Sequence, residues 1–75
     1  MKISDLQDKT VININDGKKL GNIVDLEIDN NGQIINFTSI PRRHIFRLFL
    51  SNKETIFKMT DIKKIGEDVI LVEIN

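Results

Sequence analysis

Val24-Asp25-Leu26-Glu27-Ile28-Asp29 alternates apolar and acidic residues without a break and runs directly into Asn30-Asn31-Gly32. Period-two alternation fits a β-strand with one dry and one wet face, because successive side chains point to opposite sides of the pleat. The Asn-Gly pair supplies the positive-φ positions of a tight hairpin turn. Gln33-Ile34-Ile35-Asn36-Phe37-Thr38-Ser39-Ile40 then reads as the returning strand. Val24, Leu26 and Ile28 are expected on the dry face, with Asp25, Glu27 and Asp29 opposite. The returning strand has no single phase, since Ile34 and Ile40 oppose Ile35 and Phe37, and burial on both faces stays open.

The same logic extends along the chain. Ser4-Asp5-Leu6-Gln7 fits a capping box and predicts a helical turn over residues 4–7, anchored to the core by Ile3 and Leu6. Residues 11–15 read as a strand, and Asn15-Asp16-Gly17 as a turn in which the glycine takes positive φ. Residues 18–20 complete a loop to Gly21. Pro41, which has no backbone N–H for a ladder, ends the returning strand. Residues 54–59 form a further strand, 60–62 a turn of 3₁₀ type, 63–65 a short strand, 66–68 a tight turn and 69–74 the last strand. Residues 42–53 fit no regular element except a weak helical stripe.

A chain of 75 residues makes one domain, spanning residues 1–75. Such a chain buries only roughly 60% of its unfolded surface. It has no cysteine, so disulfides, thiolate nucleophiles and cysteine-held zinc are excluded. Stability must come from packing, sheet closure or association. Isoleucine occurs fourteen times and suits a pleated, half-buried surface. Five to six short strands with tight turns make an all-β chain: a small β-barrel of short antiparallel strands with one short N-terminal helical turn. Residues 1–20 have no apolar core of leader length and no apolar run is long enough to span a bilayer, so a cytoplasmic location is expected.

The chemistry available is sparse. Asp25, Glu27 and Asp29 on one strand face suggest Ca²⁺ or Mg²⁺, yet Asn30 and Asn36 stand where an EF-hand loop needs its glycine and its last glutamate. Alternating acids on a solvated strand face are the simpler reading. His44 is the only histidine and sits beside Arg42 and Arg43, where neighbouring cations disfavour its charged form and no nucleophile lies near in sequence. Gly17, Gly21, Gly32 and Gly66 are dispersed turn glycines and make no phosphate-binding loop. No catalytic, metal or cofactor residue is expected.

Ile3-Ser4-Asp5-Leu6-Gln7, residues 11–17, Leu20-Gly21, Asp25-Leu26, Gly32 and residues 62–73 resemble the PRC-barrel proteins of the YlmC/YmxH type, small proteins associated with sporulating Firmicutes. The resemblance covers nearly the whole chain. Its most specific part is Ile62-Lys63-Lys64-Ile65-Gly66-Glu67-Asp68-Val69-Ile70-Leu71-Val72. It implies a barrel of six or nearly six strands and an adaptor role. Related modules include the cytoplasmic domain of the photosynthetic reaction-centre H subunit and the C-terminal domain of a ribosome-maturation factor. No catalytic residue comes with the family. Where family members often carry Pro-Trp before the turn leading to Ile62, this chain reads Lys58-Met59, and the methionine is expected to fill the tryptophan's space. Where the loop after the third strand is often glycine-rich, this chain reads Pro41-Arg42-Arg43-His44-Ile45-Phe46-Arg47-Leu48-Phe49-Leu50.

That departure is the candidate functional segment. Arg42, Arg43, Ile45, Phe46, Arg47, Leu48 and Phe49 form a candidate partner interface, because arginine and phenylalanine are enriched at interfaces. A segment folded back over one barrel end, or contact with an anionic membrane surface or RNA, are the competing readings. Zero net charge argues against general nucleic-acid binding. The expected function is a non-enzymatic protein-binding adaptor, associated with sporulation and self-associating as a homo-oligomer. The alternative is an RNA- or ribosome-associated module.

Overall fold

Isoleucine-rich strands punctuated by Asx-Gly turns build a sheet whose central member is long and bent. The computed structural model describes residues 1–41 and 54–75. Helix α1 (Ile3–Gln7) leads into strands β1 (Thr10–Asn13), β2 (Lys19–Ile28) and β3 (Ile34–Ile40). Strand β4 (Thr55–Phe57), a 3₁₀ turn at Met59–Asp61, β5 (Ile62–Ile65) and β6 (Val69–Val72) complete the described elements. The six strands form one sheet in the order β4-β3-β2-β1-β6-β5.

Two expectations about this sheet are corrected. It is mixed rather than antiparallel throughout, because β1 pairs in parallel with β6, Val11 opposite Ile70 and Asn13 opposite Val72. It is also open: among the described residues the outer strands β4 and β5 do not pair with each other. The chain instead passes from one sheet edge to the other through Lys58 and the 3₁₀ turn. The turn is fixed by the Asp61 carboxylate, which accepts the Lys58 N–H at 2.8 Å. The Asp61 carbonyl then accepts the Glu73 N–H at 2.9 Å. Short edge strands, with Lys63 and Lys64 exposed on β5, discourage edge-to-edge aggregation.

Strand β2 belongs to both halves of the sheet. Lys19 and Gly21 pair with β1, and residues from Asn22 onward pair with β3. Gly21 is the corner between them. Its φ is +93°, and a Cβ there would lie 2.0 Å from the Ile40 carbonyl oxygen. The expectation of a turn glycine is therefore corrected: Gly21 lies inside a strand, where a glycine marks a bend or a close backbone approach. The neighbouring Asn22 side chain donates to the Gln7 carbonyl at 3.1 Å and the Lys9 carbonyl at 3.0 Å, tying the end of α1 to this corner.

The core consists of Val11, Ile23, Phe37, Phe57, Ile70 and Val72, with Leu6, Leu20, Leu26, Ile34, Ile62 and Ile74 packed around it. Phe37 and Phe57 are register partners and stack with ring centroids 5.3 Å apart. The phase of β3 is thereby settled: Phe37 and Ser39 face inward and are fully buried. The Ser39 hydroxyl finds no hydrogen-bond partner among the described residues. Helix α1 starts earlier than expected and is capped differently. The Asp5 carboxylate accepts the Lys2 N–H at 3.0 Å, which leaves Ser4 inside the helix. Leu6 reaches the core, whereas Ile3 is exposed. Met59 is exposed as well, so it does not occupy the space of a core tryptophan.

Asn13 is a buried polar side chain that organises the core's edge. Its Nδ2 donates to the Ile74 carbonyl at 3.0 Å, and its Oδ1 accepts the Ile74 N–H at 3.1 Å and the Asn15 N–H at 3.2 Å. The amide pairs with both backbone groups of Ile74 and continues the β1–β6 ladder past Val72. Asn13→Ala leaves the Ile74 N–H without its partner and the Ile74 carbonyl with the Asn15 amide, which donates to it at 2.9 Å, and we expect it to cost about 2–3 kcal/mol. The check is a urea melt, in which the midpoint falls while the slope stays unchanged.

Candidate interaction surface

The outer face of β2, β3 and β4 is built by register. Ile23 pairs with Ser39 and Asp25 with Thr38, so Val24 is the extra residue of a bulge. A bulge of one residue resets which side chains face inward. The expected dry face is corrected at Val24 and Ile28, whereas Leu26 faces inward beside Phe37 with Asp25 and Glu27 opposite, as expected. Ile23 carries the burial, Leu26 is half-buried, and Val24 and Ile28 are 47% and 56% exposed.

Thr38 pairs with Asp25 on one side and Ile56 on the other, and Glu27 pairs with Asn36. The Asn36 amide donates to Glu27 Oε1 at 3.0 Å. Asp25, Leu26, Glu27, Asn36, Thr38 and Ile56 line a half-open depression of about 330 Å³. Ile56 is 57% exposed there. The depression thus places two carboxylates of β2 across the polar Asn36 and Thr38 of β3 from the exposed aliphatic side chain of Ile56 on β4.

The acids of residues 25–29 do not converge. Asp29 belongs to the hairpin turn, where its Oδ1 accepts the N–H groups of Asn31 at 2.8 Å and Gln33 at 3.0 Å. Among the described residues no group of three or more His, Cys, Asp or Glu side chains is placed to hold a metal ion. Arg42, Arg43, Ile45, Phe46, Arg47, Leu48 and Phe49 lie outside the described residues, as does His44. The topology still locates their attachment. Ser39 pairs with Thr55, so residues 42–53 leave and rejoin the sheet beside the Thr38–Ile56 pair that floors the depression.

The hairpin around Gly66-Glu67-Asp68 has a structural explanation. The Lys9 ammonium donates to the carbonyls of Gly66 at 2.7 Å and Glu67 at 2.6 Å. The Thr10 N–H donates to the Asp68 carbonyl at 2.9 Å. The turn therefore docks onto the start of β1 through backbone carbonyls, and its Glu67 and Asp68 side chains stay exposed.

The PRC-barrel domain family matches residues 1–75. The chain belongs to the PRC-barrel family. This PRC-barrel chain is similar to the probable sporulation protein YlmC of Bacillus subtilis, 37% identical over 76 residues, covering 100% of this chain and 94% of that protein. It is also similar to an uncharacterised protein of Clostridium acetobutylicum, 39% identical over 70 residues, covering 93% of this chain and 80% of that one. No helix among the described residues is long and apolar enough to cross a membrane.

Sequence reasoning overlooked Asn36, Thr38 and Ile56 as a surface. Each is unremarkable in its own strand, and only the pairing of three strands around a bulge joins them. It also overlooked Gly21 and Asn13. A glycine inside a run of strand formers was an available signal for the first. No local pattern separates Asn13 from the exposed Asn15.

Proposed function

We propose that this PRC-barrel chain is a non-enzymatic, cytoplasmic protein-binding module that acts in sporulation and self-associates through Arg42, Arg43, Ile45, Phe46, Arg47, Leu48 and Phe49. The observation that carries this reading is the composition of that segment. Five large apolar residues fall within residues 45–50, interleaved with and preceded by arginines. Phenylalanine and arginine together are enriched at interaction sites. Similarity over the whole chain to a protein named for sporulation supports the biological setting. The roles of Lys9, Asn13, Asn22 and Asp61 in backbone hydrogen bonds support a scaffold reading of the sheet.

Phe46→Ala and Phe49→Ala are each expected to weaken self-association by on the order of tenfold or more, as for aromatic residues at interface centres. Thermal unfolding followed by circular dichroism should stay within a few degrees of wild type. Variants that associate as wild type does would remove this segment from the interface. The second reading, an RNA- or ribosome-associated module, rests on Arg42, Arg43 and Arg47. It requires RNA binding that weakens steeply with salt and weakens further in Arg42→Ala and Arg43→Ala.

A further inference from the structure

We propose that the acidic-apolar depression on the outer face of β2, β3 and β4 is the receptor for residues 42–53 of a second copy of this chain. The inference rests on the self-association reading above and identifies the surface that reading needs.

The two surfaces match in chemistry. The depression offers Asp25 and Glu27 of β2 together with the exposed aliphatic side chain of Ile56. The segment offers Arg42, Arg43, Arg47 and Lys53, with no acid between Pro41 and Glu54, together with Phe46 and Phe49. Guanidinium groups pair with carboxylates in bidentate geometry, and their planar heads tolerate partial burial better than ammonium groups. Asn36 already holds one Glu27 oxygen, which orients that carboxylate and leaves its second oxygen for a cation. Ile56 exposes more than half of its surface, suited to covering by a phenylalanine ring.

The topology favours a reciprocal contact. The segment attaches to β3 and β4, the same two strands that supply Asn36, Thr38 and Ile56 to the depression. The attachment points of the segment and the depression therefore lie on the same strands of each copy. A two-fold axis between them lets each segment reach its partner's depression, making the same contact twice. A chain with zero formal net charge imposes no overall repulsion on this approach.

Charge reversal tests the pairing by sedimentation equilibrium, with circular dichroism confirming the fold of every chain. The face variant is Asp25→Lys with Glu27→Lys. The segment variant is Arg42→Glu, Arg43→Glu and Arg47→Glu. Each alone should associate on the order of a hundredfold more weakly than wild type, since like charges are juxtaposed. An equimolar mixture should recover the dimer, because each variant's segment then meets a depression of opposite charge. If the face variant dimerises normally while the segment variant does not, the segment docks elsewhere: this inference fails and the self-association reading survives. A wild-type monomer would overturn both. A wild-type monomer in which face reversal lowers the melting temperature, and segment reversal in the same chain restores it, would instead place each segment on its own sheet.

Discussion

Gly21→Ala should abolish the cooperative unfolding transition of this protein. A Cβ at residue 21 would stand 2.0 Å from the Ile40 oxygen, 2.3 Å from the Ile40 carbonyl carbon and 2.5 Å from Pro41 Cα. All three are backbone atoms, so no rotamer change relieves the overlap. The φ of +93° adds strain that an L-residue rarely tolerates. Relief requires β2 and β3 to separate at the corner where β2 changes partners. We expect a loss above about 4 kcal/mol, in the range reserved for core or backbone disruption. A domain of this size has about 5–10 kcal/mol in total. Gly17→Ala is the control. Its φ is +71° with nothing within 4 Å of the added Cβ, so only the conformational penalty of about 1 kcal/mol applies. Urea melts of the two variants separate the clash from the dihedral. Equal losses would mean that the close approach at Gly21 contributes nothing.

Phe37→Ala is the second large effect. Phe37 is fully buried, Phe57 is 1% exposed, and the rings lie 5.3 Å apart with 19° between their planes. Truncation removes the ring and leaves a cavity between β3 and β4, at an expected cost of about 3–5 kcal/mol. The stacking contact contributes on the order of 1 kcal/mol to that figure. Strand β4 is only three residues long, so it has little else to hold it against β3. The lowered urea midpoint should be accompanied by faster hydrogen exchange of the β4 amides. Ile56→Ala, one residue away on the exposed face, should change stability by less than about 0.5 kcal/mol. Comparable losses at residues 37 and 56 would contradict the inward assignment of Phe37 on β3 and the outward assignment of Ile56 on β4.

The features that were legible in the sequence are local ones. Asn31-Gly32 does turn the chain between β2 and β3, with Gly32 at φ +81°. Gly17 takes positive φ, and the 3₁₀ turn falls within a residue of its expected place. Each depends on neighbours in sequence, whose steric preferences are strong. The features that were not legible depend on register between distant strands. A bulge at Val24 breaks the most regular alternation in the chain: Ile23 and Leu26 both face the core, Val24 is left exposed, and Asp25 and Glu27 keep the outer face. The parallel pairing of β1 with β6 joins the two ends of the chain, and no short-range pattern encodes it. Asn13 is buried beside the exposed Ile14, against simple hydropathy, because its amide substitutes for a strand in pairing with Ile74. The candidate site followed the same division. The unusual composition of residues 42–53 stands out in sequence, whereas the depression beside their attachment points needs three strands in register.

The central claim is that this PRC-barrel chain works as a self-associating module. Sedimentation equilibrium of the wild-type protein over a concentration series tests it most directly. The expected weight-average mass rises with concentration toward twice the 8.6 kDa of the single chain. A mass that stays at 8.6 kDa across the series would contradict it.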